Sequence, residues 1–119
     1  PYAQYTYART CSIISKAGGV PDVTLDASSF TDASEIELAK TLSIFPEKVL
    51  AAIADYEPSV ITRYILDVCA AFNHFYHECQ IVTAPDPKVR DLRVALTAAV
   101  KNVLGAAFGL ICMKKTEKI

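Results

Sequence analysis

Apolar residues recur along this chain at three- and four-residue intervals, and nowhere hold the two-residue interval of a half-buried strand. The clearest run lies between Pro58 and Cys79, where Ile61, Ile65, Val68, Phe72, Phe75 and Cys79 fall on one helical face. A face that wide and apolar predicts a long helix at the centre of a packed domain. Asn73 and Tyr76, three residues apart on an adjacent face, set an amide beside an aromatic edge at the core boundary. Such a pair can lock a helix interface, or it can receive a flat polar ligand.

The flanking segments read as helices separated by breakers. Residues 1–17 form the first, stopped by Gly18-Gly19 with Pro21 just beyond. Tyr2, Tyr5, Arg9 and Ser12 run down one face of it, and Ala3, Tyr7, Cys11 and Ile14 down another. Tyr2, Tyr5 and Tyr7 are more aromatic surface than a core requires; rings covering a neighbouring helix with hydroxyls in water would account for them without a ligand. Val20 to Phe30 has no period and reads as a surface loop, by length the most mobile part.

Asp32/Glu35 and Ser34/Glu37 both have capping-box spacing, so a second helix starts there and runs to about Ile44. Ile36, Leu38, Leu42 and Phe45 make its apolar side. Pro46 opens a short third helix with Val49, Leu50, Ile53 and Tyr56 as its apolar positions. The central helix follows from Pro58, then a loop over Gln80 to Pro87 whose Asp86-Pro87 starts the last helix. Val89, Leu92, Leu96, Val100, Val103, Ala107 and Leu110 give that helix a near-heptad seam. Its many alanines, with Gly105 and Gly109, permit another backbone to approach closely. The expectation is an all-α fold: an antiparallel bundle of about five helices, forming one domain over residues 1–119.

Bulk composition narrows the function classes. With 119 residues and 52% hydrophobic content the chain can bury one real core, which excludes a disordered segment. A net charge of −1 excludes a nucleic-acid role that rests on global charge, so any phosphate contact is local. No apolar run approaches the roughly 20 residues of a bilayer span, and the start lacks the basic and apolar regions of a signal peptide. No membrane partner is expected, and the expected location is cytoplasmic. The chain begins at Pro1 without Met, so it is expected to be a piece of a longer polypeptide or a processed product. Cys11, Cys69, Cys79 and Cys112 lie apart within helical patterns and read as buried free thiols.

Catalytic constellations are missing: there is no Gly-rich phosphate loop, nucleophile elbow or Cys-x-x-Cys pair. His74, His77 and Cys79 do not share a helical face, and no fourth ligand accompanies them, so metal binding is not expected. What remains is aromatic residues and an arginine. Unpaired bases are recognised by stacking on Tyr, Phe or Arg planes while amides read their edges. Tyr5 and Arg9 on one helix, with Asn73 and Tyr76 on another, make such a surface if the two helices adjoin.

Three segments resemble a known family. Gln4-Tyr5-Thr6-Tyr7-Ala8-Arg9-Thr10-Cys11-Ser12 is similar to the Q-Y-x-H-x-R-x-x-S segment that opens the C-terminal DALR anticodon-binding domain of arginyl-tRNA synthetases. Ala71-Phe72-Asn73-His74-Phe75-Tyr76-His77-Glu78-Cys79 resembles the family's A-F-N-x-F-Y-x-x-C, and Asp91-Leu92-Arg93-Val94-Ala95-Leu96 its eponymous stretch. The resemblance spans the chain in the family's order. It implies an all-helical domain that holds the anticodon stem-loop of tRNA-Arg. The catalytic domain of the same polypeptide would join arginine to the tRNA, using ATP and Mg; no cofactor is expected in this chain. Carried over by motif, Tyr5 and Arg9 would face the anticodon loop from the first helix, with Tyr2 and Tyr7 beside them. Asn73 and Tyr76 would do so from the central helix, and Arg93 would be a weaker contact or an intramolecular ion-pair partner. Tyr7 stands where the family often has His. Cys112, Thr116 and Ile119 stand where it has Gly, Pro and a terminal Met, so Ile119 would make the C-terminal contact. A helical interaction module that no longer reads tRNA, or a DALR domain of another synthetase, are the other readings.

Overall fold

A computed structural model describes residues 1–111 and shows five α-helices, with no strand among the described residues. They are α1 (Tyr2–Lys16), α2 (Ala33–Ser43), α3 (Phe45–Asp55), α4 (Pro58–Glu78) and α5 (Pro87–Leu110). Cys112, Met113 and the rest of the tail to Ile119 lie outside the described residues.

The helix limits follow from local chemistry. Gly18 and Gly19 take φ of 85° and 121°, conformations that end α1 and that side chains disfavour. Of the two capping boxes the sequence offers, the one that forms is Asp32/Glu35. The Asp32 carboxylate accepts from the Ser34 amide at 2.9 Å, and Glu35 Oε1 accepts from the Asp32 amide at 3.0 Å. Pro58 and Pro87 occupy the first turns of α4 and α5, where a missing N–H costs nothing.

α4 is the spine, and α1, α2, α3 and α5 all pack on it. Val68, Phe72 and Phe75 are completely buried, as the apolar period predicts, and Cys69 is buried beside them. α2 lies antiparallel on α4: Ser34 meets Cys79 (3.3 Å) at one end and Tyr64 Oη donates to the Thr41 carbonyl (2.7 Å) at the other. α3 folds back beside them through the Phe45–Tyr64 ring stack at 5.6 Å. α1 runs antiparallel to α5: Tyr7 packs on Phe108 near its start, and Ala17 lies near Val94 at its end.

Four expectations are corrected. Of the expected third-helix positions Val49 packs on the core, but Leu50 and Ile53 are 67% and 66% exposed and Tyr56 more so; Ala52, with Phe45, completes the inward set instead. Both sets satisfy a helical period, so periodicity alone does not choose between them. The loop over residues 20–30 is not wholly a surface feature: it carries a short 3-10 turn at Ala27–Ser29, and Phe30 is buried in the core. Gly109 has no atom within 4 Å of where a Cβ would sit among the described residues, so no backbone closes on it. α5 is long and apolar enough by composition to cross a bilayer, although half of its most apolar stretch is buried in this bundle.

A polar clasp ties the far end of α4 to α2 and α5. Glu35, 4% exposed, accepts from Arg93 Nε at 2.8 Å, and Arg93 Nη1 donates to the Gln80 carbonyl at 2.8 Å. Asp32 caps α2 beside this clasp, and its bonds from the Ser34 hydroxyl and amide hold its carboxyl below the ordinary 3.8. Replacing it, Asp32→Ala, is expected to cost about 1 kcal/mol at neutral pH. A depressed folded pKa gives stability that is present above the unfolded value and lost as the carboxyl protonates. Urea titrations across pH are therefore expected to show wild type and variant converging as pH falls below about 4. A gap that persists at low pH would show that the side chain acts other than as a carboxylate cap.

Candidate nucleic-acid interface

Where α1 crosses α4, the two faces singled out by spacing meet. Thr6 and Thr10 are buried on α1 because each hydroxyl returns to a backbone carbonyl, Thr6 to Tyr2 (3.1 Å) and Thr10 to Tyr7 (2.6 Å). These polar residues let α1 lie close to α4 without leaving a donor unpaired. Asn73 is the junction. Its Oδ1 accepts from Arg9 Nη1 at 2.8 Å, and its Nδ2 donates to Tyr2 Oη at 3.1 Å and Thr6 Oγ1 at 3.2 Å. The amide thus locks the helix interface, one of the two roles its spacing allows.

Arg9 also lies over the Tyr76 ring, with Cζ 4.3 Å from the ring centroid. A cation over an aromatic face at such a half-exposed place contributes about 0.5–1 kcal/mol. Tyr76 is backed by Phe72 (6.4 Å) and met edge-on by His77 (5.5 Å), so its ring plane is fixed. One face of Tyr76 is therefore covered by the guanidinium, and the plane offered outward is Arg9 on its aromatic support. Beside it opens a groove of about 670 Å3, lined by Arg9, Ser12, Ser15, Lys16 and Tyr76 among others. Among the described residues its lining includes two cations and no carboxylate. Tyr2 and Tyr5 stand half-exposed further along α1.

Residues 3–119 match the family described as the DALR anticodon binding domain. The chain belongs to the DALR anticodon-binding domain family. It is 40% identical over its whole length to the arginine–tRNA ligase of Halothermothrix orenii, and 35% to that of Korarchaeum cryptofilum. In these matches it spans 21% and 19% of the relative's length. In structure it is similar to the arginyl-tRNA synthetase of Thermus thermophilus, with a TM-score of 0.86 and 30% identity, covering all of this chain and 21% of that one.

Within this DALR domain the sequence-selected residues divide into groups. Tyr2, Tyr5, Arg9 and Tyr76 reach one surface, and Asn73 sits beneath it with both polar atoms engaged. Tyr7 does not join them: it is buried against Phe108 with ring centroids 5.8 Å apart. Its place on the inward face of α1, one residue from the exposed stripe, is the reason. Arg93 is likewise turned away, held by Glu35 and the Gln80 carbonyl, so the family's eponymous arginine closes the fold here. Ile119 lies outside the described residues.

Three residues were missed by sequence reasoning. Lys16 and Ser15 line the groove, and the helix period from Arg9 and Ser12 points to Lys16 one turn on. Thr6 was not singled out, and only the fold reveals that it supports Asn73. His74 and Cys79, once weighed as ligands, part company: His74 lies 3.6 Å from both Glu37 and Glu78, while Cys79 is buried beside Ser34. Asn73→Ala removes three interhelix bonds and is expected to destabilise the domain by about 1–3 kcal/mol while the helices persist. Urea unfolding followed by circular dichroism reads this, and an unchanged midpoint would mean that the amide does not lock α1 to α4.

Proposed function

We propose that this chain is the anticodon-binding domain of an arginine–tRNA ligase and that it holds the anticodon stem-loop of tRNA-Arg. The Arg9–Tyr76 stack at the mouth of the groove is the observation that carries this reading. A guanidinium plane held on a fixed ring is a stacking platform for an unpaired base. The cationic lining suits the phosphates on either side of it. Tyr5, half-exposed one turn before Arg9, offers a second ring for a neighbouring base. The near-zero net charge is no obstacle, because each stacked base contributes about 1–3 kcal/mol independently of the global field.

Ligation of arginine, with its ATP and Mg2+, then belongs to the remainder of the polypeptide. The α1–α4 groove supplies a guanidinium, an ammonium and hydroxyls, and among the described residues its lining has no carboxylate of the kind that holds a divalent ion. The domain's contribution is to grip the tRNA at a distance from that chemistry.

Filter binding of tRNA-Arg and a non-cognate tRNA to the full-length protein tests the reading. Tyr5→Ala and Tyr76→Ala are each expected to weaken tRNA-Arg binding by about 1–3 kcal/mol with the fold retained. Unaltered affinity in a folded double variant would exclude this surface. Arg9→Ala is expected to lower the slope of log affinity against log salt by about one as well. A slope equal to wild type would make Arg9 a purely structural partner of Asn73. Equal binding of both tRNAs would place discrimination elsewhere in the enzyme.

A further inference from the structure

Arginine can only donate hydrogen bonds, and this assigns the protons throughout the α1–α4 junction. Because Arg9 donates to Asn73 Oδ1, the Asn73 amide nitrogen must face the other way, toward Tyr2 Oη and Thr6 Oγ1. Both oxygens are then acceptors of the Asn73 protons. Thr6 gives its own proton to the Tyr2 carbonyl at 3.1 Å. Burial pushes the nearby Cys69 thiol up to about 11, against the opposing effect of Thr6. It is therefore a neutral neighbour at physiological pH.

The hydroxyl of Tyr2 accepts from Asn73, so its proton is left over. Among the described residues no acceptor takes it, and the side chain is 50% exposed. Arg9 likewise keeps N–H groups beyond the one given to Asn73, and no carboxylate pairs with it among the described residues. The outward polar groups of Tyr2 and Arg9 are thus both donors. Thr6 is 3% exposed and lies beneath them, out of reach of any ligand.

We infer that Thr6 is a positioning residue: by accepting from Asn73 Nδ2 it helps Arg9 hold the amide nitrogen toward Tyr2, so that the Tyr2 hydroxyl joins Arg9 in a donor-only rim that takes a purely accepting group of the RNA, a phosphate oxygen or a base carbonyl. This rests on the RNA-binding reading of the same surface. The wiring excludes a base edge that presents an amino group to Tyr2 and Arg9, since donors would then face donors.

The test uses the full-length protein, binding of tRNA-Arg, and the variants Tyr2→Phe, Thr6→Val and Thr6→Ser. Tyr2→Phe is expected to weaken binding about three- to tenfold, the effect of one neutral hydrogen bond. Thr6→Val keeps the branched shape without the hydroxyl and is expected to weaken binding to a similar degree, and Thr6→Ser to restore it. On the Thr6→Val background the Tyr2→Phe loss is expected to shrink, because Thr6 acts through the Tyr2 proton. Wild-type affinity for Tyr2→Phe overturns the inference, and this variant carries the test should Thr6→Val fail to fold. Thr6→Ser behaving as Thr6→Val also overturns it, since the methyl group would then be what matters. If Arg9→Ala and Tyr76→Ala weaken binding while these variants do not, only the donor rim fails. If none of them weakens it, the RNA-binding reading itself fails. A Tyr2→Phe loss equal for every loop sequence assigns the acceptor to phosphate, and a loss confined to one base identity assigns it to a carbonyl.

Discussion

Phe72, Phe75, Val68 and Cys69 must all leave water at once, and no single neighbour can cover them. That requirement wraps α1, α2, α3 and α5 around α4 and sets the whole arrangement. Full burial of side chains of this size contributes about 1.5–3 kcal/mol each, more than any one polar contact here. The price is that α4 keeps only narrow exposed strips. Tyr76 and Asn73 lie on one of them, next to Phe72 and Phe75, so the deepest part of the core is also the floor beneath the candidate site. A rigid floor matters for stacking, because a ring that turns freely loses entropy each time it receives a base.

Two polar clasps orient the helices that burial brings together. At one, Glu35 and Arg93 join the start of α2 to α5 and to the chain just after α4. At the other, Asn73 joins α4 to three residues of α1. Hydrophobic burial is indifferent to direction, whereas these bonds hold only at one register. The two clasps differ in consequence. The first pairs the charge of its arginine with the buried Glu35 inside the fold. The second leaves Arg9 and Tyr2 with donors to spare at the surface, and that surplus makes the α1–α4 crossing a candidate for recognition and the α2–α5 clasp a structural one.

Much of this was legible in the residues. The apolar period of α4, the Gly18-Gly19 stop, the Asp32/Glu35 box and the prolines at helix starts depend on neighbours within one or two turns. They operate before any tertiary contact forms, so the elements could be read directly. The spacing of Tyr2, Tyr5 and Arg9, and that of Asn73 and Tyr76, placed each set on one helical face for the same reason. The family motifs added their order along the chain.

Other features needed the assembled bundle. Leu50 and Phe45 are equally apolar, and only the position of α4 decides that Phe45 turns inward and Leu50 outward. Tyr7 and Tyr5 are the same residue two positions apart, yet one is core and the other surface because α5 lies on one side of α1. Asn73 could have read a ligand, and it became a lock once Arg9, Thr6 and Tyr2 came within hydrogen-bond distance. By itself the sequence determined which segments are helical and which chemical groups each face carries, since both depend on backbone period and local capping. Which partners those groups meet, and so which remain free to face another molecule, is a long-range matter that only the packing of all five helices decides.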